Sequence, residues 1–480
     1  MGFKFVFLWT DLALWVLFAA LAGYGWSVSR QPPLQATWAQ AMRSGATLGA
    51  AAVLALFVLG SALDSVHFRR ALPAMASQTA GVTFYDPHTT SLLDVLLERP
   101  LAMREASYSA PLATHALIKQ AVERNGVTVR EVPRLEFGGA HLTDPQLEWG
   151  RDIAERIGLG LAGGALVALL ASIVLSFFVG GGALSPLSRW RALLTGRTQQ
   201  PWRVPLLIFA ALALLAGPVV ALMGHYHVLG TDRTGNDVLV QALKSVRTAF
   251  VIGTLSTLAT VPLALVLGVL AGYFKGWVDE AVQYLYTVLT SVPNVLLIAA
   301  CVLMVQVFID THSDLFDTGL ERADLKMFLL CVILGLTGWA TLCRLVRAET
   351  LKLRELEFMQ AAEAFGVPHV RTMARHVVPN VMHLVLITTV LNFSDLILYE
   401  AVLTYVGVGV DPGLNSFGGM INLARSEMSG DPLVWWSFVA AFGFMLALVL
   451  AANLFADGVR DAFDPRARAF RPQRIARKVA

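Results

Sequence analysis

Long apolar runs are the feature that most constrains this chain. Because a hydrocarbon core of roughly 30 Å needs about 20 apolar residues in a helix, membrane spans can be counted by length. The sequence predicts about nine spans, at approximately 6–28, 44–63, 157–179, 204–223, 248–273, 283–309, 325–343, 381–403 and 433–456. Only 15% of the 480 residues are charged, which excludes an ordinary soluble protein. We therefore expect an all-α polytopic membrane protein.

Lys and Arg in short loops predict the orientation of these spans. The segment 185–203 contains four Arg and no acidic residue, so we place it in the cytoplasm. Alternation then puts residues 29–43 inside and the acid-rich segment 309–324 outside. The same alternation puts the charged stretch 351–380 and the basic C-terminal tail 467–480 in the cytoplasm, and it puts the N-terminus outside.

A segment of mixed composition, residues 64–156, interrupts the apolar runs and lies outside by the same count. Its patterns predict helices over 89–100, over 109–126 with an Asn-Gly end, and from Asp144 into the next span, with a short strand over 127–132. About 90 residues can form a small α/β domain. A cap without ligand chemistry and a substrate-handling role both remain open for this insertion.

Motifs for catalysis and for metal binding are absent from the sequence. No Gly-Lys dipeptide occurs, so there is no Walker A loop for ATP, and neither His-Glu-x-x-His nor Gly-x-Ser-x-Gly is present. The three cysteines, Cys301, Cys331 and Cys343, lie in apolar runs, where we expect neither a disulfide nor a metal site. The net charge of +3 is too small to indicate nucleic acid. We expect membrane lipid as a partner, and no catalytic residue.

The charged stretch 351–380 predicts two helices separated by a Gly-Val-Pro break. Gly366 permits a backbone conformation closed to other residues, and Pro368 starts the second helix. Pro379 is expected to end that helix just before the next span. The first helix offers a docking face of small side chains, Ala361, Ala362 and Ala364. From the residues alone, a coupling lever and a solvated loop are equally open.

This stretch resembles the EAA loop of ABC importer permeases through "QAAEAFG" and "HVVPN". In that family, Glu-Ala-Ala, a Gly six residues after the Glu and a downstream Pro belong to the segment that sits in a cleft of the ATPase subunit. Gln360 stands where the family prefers Glu, and Glu363 can compensate one turn later. The resemblance implies that the residues coupling this chain to a separate ATPase are Gln360, Ala361, Ala362, Glu363, Gly366 and Pro379.

Three further stretches resemble the dipeptide/oligopeptide permeases of this family. "LGTDRTGNDV" at 229–238 is similar to a family signature, with Asn236 in place of the usual Arg. "EAVLTYVGVGVDPGLNSFG" at 400–418 and "DGVRDAFDPR" at 457–466 are similar to two others. The motif residues implied by the first stretch are Gly230, Thr231, Asp232, Gly235 and Asp237.

The resemblance implies a permease core over 225–466 with a coupling loop at 344–380, which forms half of a translocation pathway in the cell inner membrane. Two N-terminal transmembrane helices (1–63) and a transmembrane hairpin with a basic cytoplasmic loop (157–224) lie outside the family pattern. The implied partners are a homologous second permease, identical or different, one or two ATP-binding subunits that hold ATP and Mg, and a solute-binding protein. This chain itself is expected to bind no cofactor. Dipeptides, oligopeptides, nickel, opines and glycosides all remain open as cargo.

Two acids in the predicted span 381–403, Asp395 and Glu400, are expensive in lipid. Their separation of five residues puts them about 140° apart on a helix, so they are not expected to share a face. Asp395 is either a pathway residue or the mark of an ion-coupled secondary transporter, which is the alternative function. Glu400 begins a Gly-rich segment that contains Gly407 and Gly409 and is expected at the pathway or outer gate. Its carboxylate either holds the positive end of a peptide or pairs locally.

Overall fold

The chain is predominantly helical. In the computed structural model, the described residues are 3–72, 85–124, 127–179, 186–196, 200–312, 314, 316 and 318–463. The helices are α1 (Trp9–Arg30), α2 (Pro32–Ala41), α3 (Gly45–Asp64), α4 (Leu92–Leu96), α5 (Glu98–Ala102), α6 (Pro145–Val179), α7 (Pro186–Leu194), α8 (Arg203–Leu222), α9 (Val238–Phe274), α10 (Gly276–Ser291), α11 (Asn294–Thr311), α12 (Gly319–Arg354), α13 (Glu357–Ala364), α14 (His369–Thr372), α15 (Val378–Tyr405), α16 (Phe417–Glu427) and α17 (Trp436–Phe463). The strands are β1 (Phe3–Val6), β2 (His67–Arg70), β3 (Thr90–Ser91), β4 (Gln120–Arg124) and β5 (Val127–Glu131).

Nine helices among the described residues are long and apolar enough to cross a membrane. They are α1, α3, α6, α8, α9, α11, α12, the continuous helix from α14 through α15, and α17. The predicted all-α polytopic fold is therefore confirmed, with the small insertion as a minor part. The predicted tail 467–480 lies outside the described residues.

The span expected over 283–309 is wrong in its first third. α10 ends at Ser291 and α11 begins at Asn294, with Val292 extended between them at φ −92° and ψ 134°. Pro293 explains this break, because a proline disfavours the helical conformation of the residue before it. The span therefore begins at Asn294, and α10 is a separate helix that packs against α9 and α12.

The helix expected over 109–126 is also wrong. β4 and β5 pair antiparallel instead, with Gln120 opposite Glu131. An Asn-Gly pair followed by a run of β-branched residues is a hairpin signal, although residues 125 and 126 themselves lie outside the described part of the chain. The helix expected over 89–100 is present as the short helices α4 and α5. α6 runs unbroken from Pro145 into the membrane span, as predicted.

A three-stranded antiparallel sheet places the N-terminus beside the insertion. β1 precedes α1 and pairs with β2, which follows α3, with Phe3 opposite Arg70. β2 pairs in turn with β3. The span α1 therefore begins at this sheet and the span α3 ends at it. This agrees with the expectation that the N-terminus and the insertion share one side of the membrane.

Close backbone contacts hold the centre of the permease core together. A Cβ on Gly268 would lie 2.8 Å from the carbonyl oxygen of Cys343, and one on Gly272 would lie 2.8 Å from that of Arg347. Small residues allow such contact between spans in lipid. α9 and α12 therefore pack as one rigid pair.

A buried ion-pair network ties α1 to this pair. Arg247 of α9 lies 2.5 Å from the Asp11 carboxylate and 3.6 Å from that of Asp324 in α12. The Nδ1 atom of His67 lies 2.7 Å from the second oxygen of Asp11, and the Thr10 hydroxyl donates to Asp324. Buried charges are costly unless paired, so these contacts constrain how α1 sits on the core.

Candidate coupling, motif and gate sites

The stretch 351–380 folds into an elbow, as the sequence predicts. Gly366 follows α13 with a φ of +69°, a conformation that glycine adopts without steric cost. The N–H groups of Gly366 and Val367 donate to the carbonyl oxygens of Glu363 and Ala362 and close the helix. No atom lies within 4 Å of a Cβ built on Gly366. The requirement for glycine is therefore one of backbone conformation and not of space.

The elbow is anchored on the C-terminal end of α9. The predicted orientation puts this end of α9 on the cytoplasmic side. The hydroxyl of Tyr273 lies 2.9 Å from Nδ1 of His369, and the Arg354 guanidinium donates to the Tyr273 carbonyl oxygen over 2.7 Å. Lys275 pairs with Glu355 at 2.8 Å. These contacts hold both arms of the elbow on α9.

The outer surface of the elbow is apolar. Phe365 is 86% exposed and Val370 is 73% exposed, and with Phe358 they form what we call the elbow tip. The predicted coupling residues lie around it: Gln360, Ala361, Glu363, Gly366 and Pro379 are exposed, and Ala362 is half-buried. Large exposed apolar side chains beside polar ones are typical of a protein interaction surface.

Pro379 does not end the second helix, contrary to expectation. A π-helical turn over Met373–Val377 joins α14 directly to α15, and Pro379 lies in the first turn of α15. A proline inside a regular helix removes a hydrogen bond and clashes with the preceding turn, and a π turn relieves both. The elbow therefore continues without a break into a membrane span.

The loop with the family motif, residues 229–238, contacts the insertion directly. The Thr231 hydroxyl accepts from the Ser109 N–H at 2.6 Å and donates to the Ser107 carbonyl oxygen at 2.9 Å. Asp232 accepts from the N–H of Asn236 at 2.9 Å, an internal bond of the loop. Thr231, which the sequence singled out only by resemblance, therefore binds the insertion through its side chain.

Two glycines of this loop have positive φ angles, +71° at Gly230 and +78° at Gly235. The backbone of Glu105 lies so close to Gly235 that no Cβ would fit between them. The Glu105 N–H donates to the Gly235 carbonyl oxygen at 3.0 Å. Gly235 therefore allows the insertion to approach the permease core backbone to backbone.

A buried histidine joins the same two segments. Nδ1 of His227 lies 2.9 Å from Asp237, the N-cap residue of α9, and Nε2 lies 3.5 Å from Glu105. Burial alone lowers the pKa of His227, but the hydrogen bond to Asp237 and the charge of Glu105 outweigh it and raise that pKa to about 9. His227 therefore carries a charge at neutral pH.

Glu105 is correspondingly ionised. Burial alone raises its pKa, but His227 and three backbone N–H donors, those of Glu136, Phe137 and Gly138, lower it to about 2. The carboxylate thus closes a loop of the insertion while it faces His227. Docking of the insertion brings this carboxylate within 3.5 Å of Nε2 of His227.

The Gly-rich segment 406–418 that follows α15, which we call the outer segment, folds back over the end of that helix. Glu400 is 1% exposed, and its carboxylate accepts from the Thr404 hydroxyl at 2.8 Å. Gly407 has a φ of +88° where the chain reverses, and Thr404 leaves no room for a side chain on Gly409. The Gly418 backbone packs against the Glu400 carboxylate. Of the two roles left open for Glu400, the geometry favours local pairing.

Asp395 lies on the opposite side of α15 from Glu400, as their spacing predicts. It is exposed, whereas Glu400 is buried. The two acids therefore have different surroundings, and only Asp395 has a carboxylate open to a ligand or partner.

Sequence reasoning missed the residues that connect segments. Arg247 and Asp324 fall one residue outside the predicted spans 248–273 and 325–343, because a search for apolar windows discards charges at their ends. A charge beside a long apolar run is itself a signal of a buried partner. Glu105 carries no such local signal, since its partners, His227 and the backbone of residues 136–138, lie far away in the chain.

Comparisons with known proteins agree with this geometry. Residues 264–469 match the family described as the binding-protein-dependent transport system inner membrane component. The chain is similar to the oligopeptide transport system permease protein OppC of Mycobacterium tuberculosis, with 32% identity over 307 residues that cover 64% of this chain and 92% of the relative. OppC of Haemophilus influenzae is 30% identical over 246 residues, which cover 51% and 72% of the two chains. The chain therefore belongs to the binding-protein-dependent transport permeases, the multi-pass inner-membrane components of ATP-driven importers.

Proposed function

We propose that this chain is one of two permease subunits of a peptide importer. The observation that carries the proposal is the elbow, whose exposed apolar tip stands at the end of a helix that continues into a membrane span. The relatives are named as oligopeptide permeases, which favours peptides over nickel, opines or glycosides as cargo. A homologous second permease completes the pathway, and a solute-binding protein delivers the cargo.

The elbow tip is the contact for the ATPase subunit. Phe365 and Val370 enter a cleft of that subunit, while Gln360 and Glu363 lie at its polar rim. Displacement of the tip is transmitted along the continuous helix His369–Tyr405, whose 37 residues span roughly 55 Å. Its far end carries the gate residues Glu400 and Thr404, so nucleotide-driven motion at the elbow reaches the outer gate.

ATP and Mg belong to the ATPase subunits in this proposal, and the elbow and the C-terminus face the cytoplasm. The insertion, mounted on the motif loop, lies on the opposite side of the membrane. The ion-coupled alternative gains no support, because it gives no reason for an exposed apolar elbow or for the similarity to permeases of ATP-driven importers. Asp395 is then a pathway residue between the two permeases.

The contact with the ATPase can be tested by binding. Burying a Phe side chain contributes about 1.5–3 kcal/mol, so Phe365→Ala is expected to weaken capture of the ATPase subunit roughly ten- to hundredfold. Leu147→Ala is the matched control, since Leu147 is 81% exposed but lies in α6 at the insertion. Peptide uptake by the reconstituted importer should fall with Phe365→Ala but not with Leu147→Ala. Unchanged ATPase capture by this variant would contradict the proposed contact.

A further inference from the structure

Asp395 lies in the middle of a membrane span with an open carboxylate. It is ten residues before the end of α15 at Tyr405, about 15 Å along the helix from that end, and it lies inside the predicted span 381–403. The side chain is exposed, and within the described part of the chain no hydrogen bond or ion pair engages it. An unpaired carboxylate at this depth is expensive in lipid. Its surroundings must therefore be water or another polar molecule.

The face of α6 illustrates what a lipid-facing surface looks like in this protein. Between residues 158 and 178, every exposed residue is apolar, and the two serines, Ser172 and Ser176, are buried. The face of α15 around Asp395 also exposes apolar residues, Leu391, Leu398 and Val402, but unlike the α6 face it exposes an acid among them. The acid indicates that α15 does not contact acyl chains at Asp395 itself.

Other polar side chains extend the same face along the helix. Thr388, Asn392 and Tyr399 are half-buried and lie seven residues before, three residues before and four residues after Asp395. These separations put all four within about 60° of one another around the helix. Tyr399 packs against the buried apolar cluster formed by α1, α9 and α12, so we call only Thr388, Asn392 and Asp395 the α15 polar stripe.

Glu400 and Asp395 differ in whether a ligand can reach the carboxylate. Its carboxylate is covered by the outer segment and bound by the Thr404 hydroxyl. A passing ligand cannot reach it without opening that segment. Asp395 is the acid of this span that is free to attract a ligand.

We propose that the α15 polar stripe lines the translocation path and that Asp395 makes this path selective for positively charged peptides. The inference rests on the proposed function and adds to it the charge class of the cargo. An ammonium or guanidinium group of the cargo is attracted to Asp395 in a partly dry passage, where opposite charges interact more strongly than in bulk water. A carboxylate side chain of the cargo is repelled at the same point.

The test compares three peptides that differ in one side chain. Radiolabelled Ala-Lys-Ala, Ala-Ala-Ala and Ala-Glu-Ala are preloaded on the solute-binding protein, so that its own selectivity does not enter. Uptake rates are measured in proteoliposomes that contain the complete importer. With Asp395→Asn, the ratio of Lys to Ala peptide uptake should fall about tenfold, which corresponds to about 1.4 kcal/mol. Asp395→Lys should invert the preference, and Asp395→Glu should retain it.

Asp310→Asn is the matched control, because Asp310 is an exposed acid at the end of α11 and should leave all three rates unchanged. An unchanged Lys to Ala ratio in Asp395→Asn would overturn the proposal. Equal loss for all three peptides, together with reduced copurification of the second permease, would also overturn it and assign Asp395 to the contact between permeases. If the unaltered importer moved none of the three peptides, the proposed function would fail instead.

Discussion

Replacing Gly366 tests the elbow most directly. A non-glycine residue at φ +69° is strained, and for a β-branched residue the cost is about 1–3 kcal/mol. No atom of the chain lies within 4 Å of the new Cβ, so the cost of Gly366→Val arises from the backbone and not from a clash. A penalty of this size lowers the population of the native elbow roughly 5- to 150-fold relative to alternatives.

The assay is stimulation of ATPase activity by cargo-loaded binding protein in the reconstituted importer. Stimulation should fall strongly with Gly366→Val, while the amount of assembled complex in the membrane is unchanged. Gly366→Asn should keep most of the stimulation, because Asn adopts the left-handed conformation at lower cost. Gly443→Val controls for added bulk, since Gly443 has open space around it and no positive φ.

Full stimulation in Gly366→Val would refute the claim that the elbow must hold this conformation. Equal loss of ATPase stimulation in Gly366→Asn and Gly366→Val would instead refute the backbone explanation. It would mean that any side chain at 366 collides with the ATPase surface.

Three other outcomes follow from the structure. Glu105 of the insertion helps to raise the pKa of His227 from 6.5 to about 9, whereas Asp237 lies in the same loop as His227 and acts in the undocked state as well. The part of the shift due to Glu105 stabilises docking of the insertion at low pH and is lost as pH rises from 6.5 through about 9. Limited proteolysis of the insertion should therefore accelerate over that range, and Glu105→Gln should flatten the pH dependence; a flat profile in the unaltered protein would contradict this. Glu400→Gln should slow uptake of free and N-blocked peptides equally, since Glu400 is tied to the gate; selective loss of free peptides would reassign it to cargo. In a background without native cysteines, Leu147→Cys should react with an impermeant thiol reagent in intact cells and Leu187→Cys should not, and the reverse pattern would invert the topology.

Properties that depend on the length of a segment could be predicted from the sequence. The nine spans follow from apolar runs, and the Gly366 elbow follows from a local break between charged helices. Breaks inside apolar runs were harder to predict, because hydropathy averages over Pro293 without registering its effect on Val292. Pro379 illustrates the converse, since a proline that predicts a helix end is accommodated by a π turn.

Contacts between distant segments could not be predicted in the same way. The resemblance singled out Gly235 but not its contact Glu105, because Glu105 lies in a segment outside the family pattern. Asn-Gly was compatible with a helix end or a hairpin, and only pairing of β4 with β5 decided between them. For Asp395 and Glu400, helix geometry predicted opposite faces, but their burial depended on the outer segment.

The buried pairing of Arg247 with Asp11 limits how this permease can be recombined with its relatives. Exchange of the core for one that lacks Arg247 would leave Asp11 buried with only His67 as a partner, and removal of the first helix would deprive Arg247 of Asp11 and Thr10. Loss of one member of a buried ion pair costs about 3–5 kcal/mol, enough to unfold many domains. The N-terminal helix and the core are therefore expected to be inherited together, and a functional chimera should require an apolar replacement on both sides of the exchange.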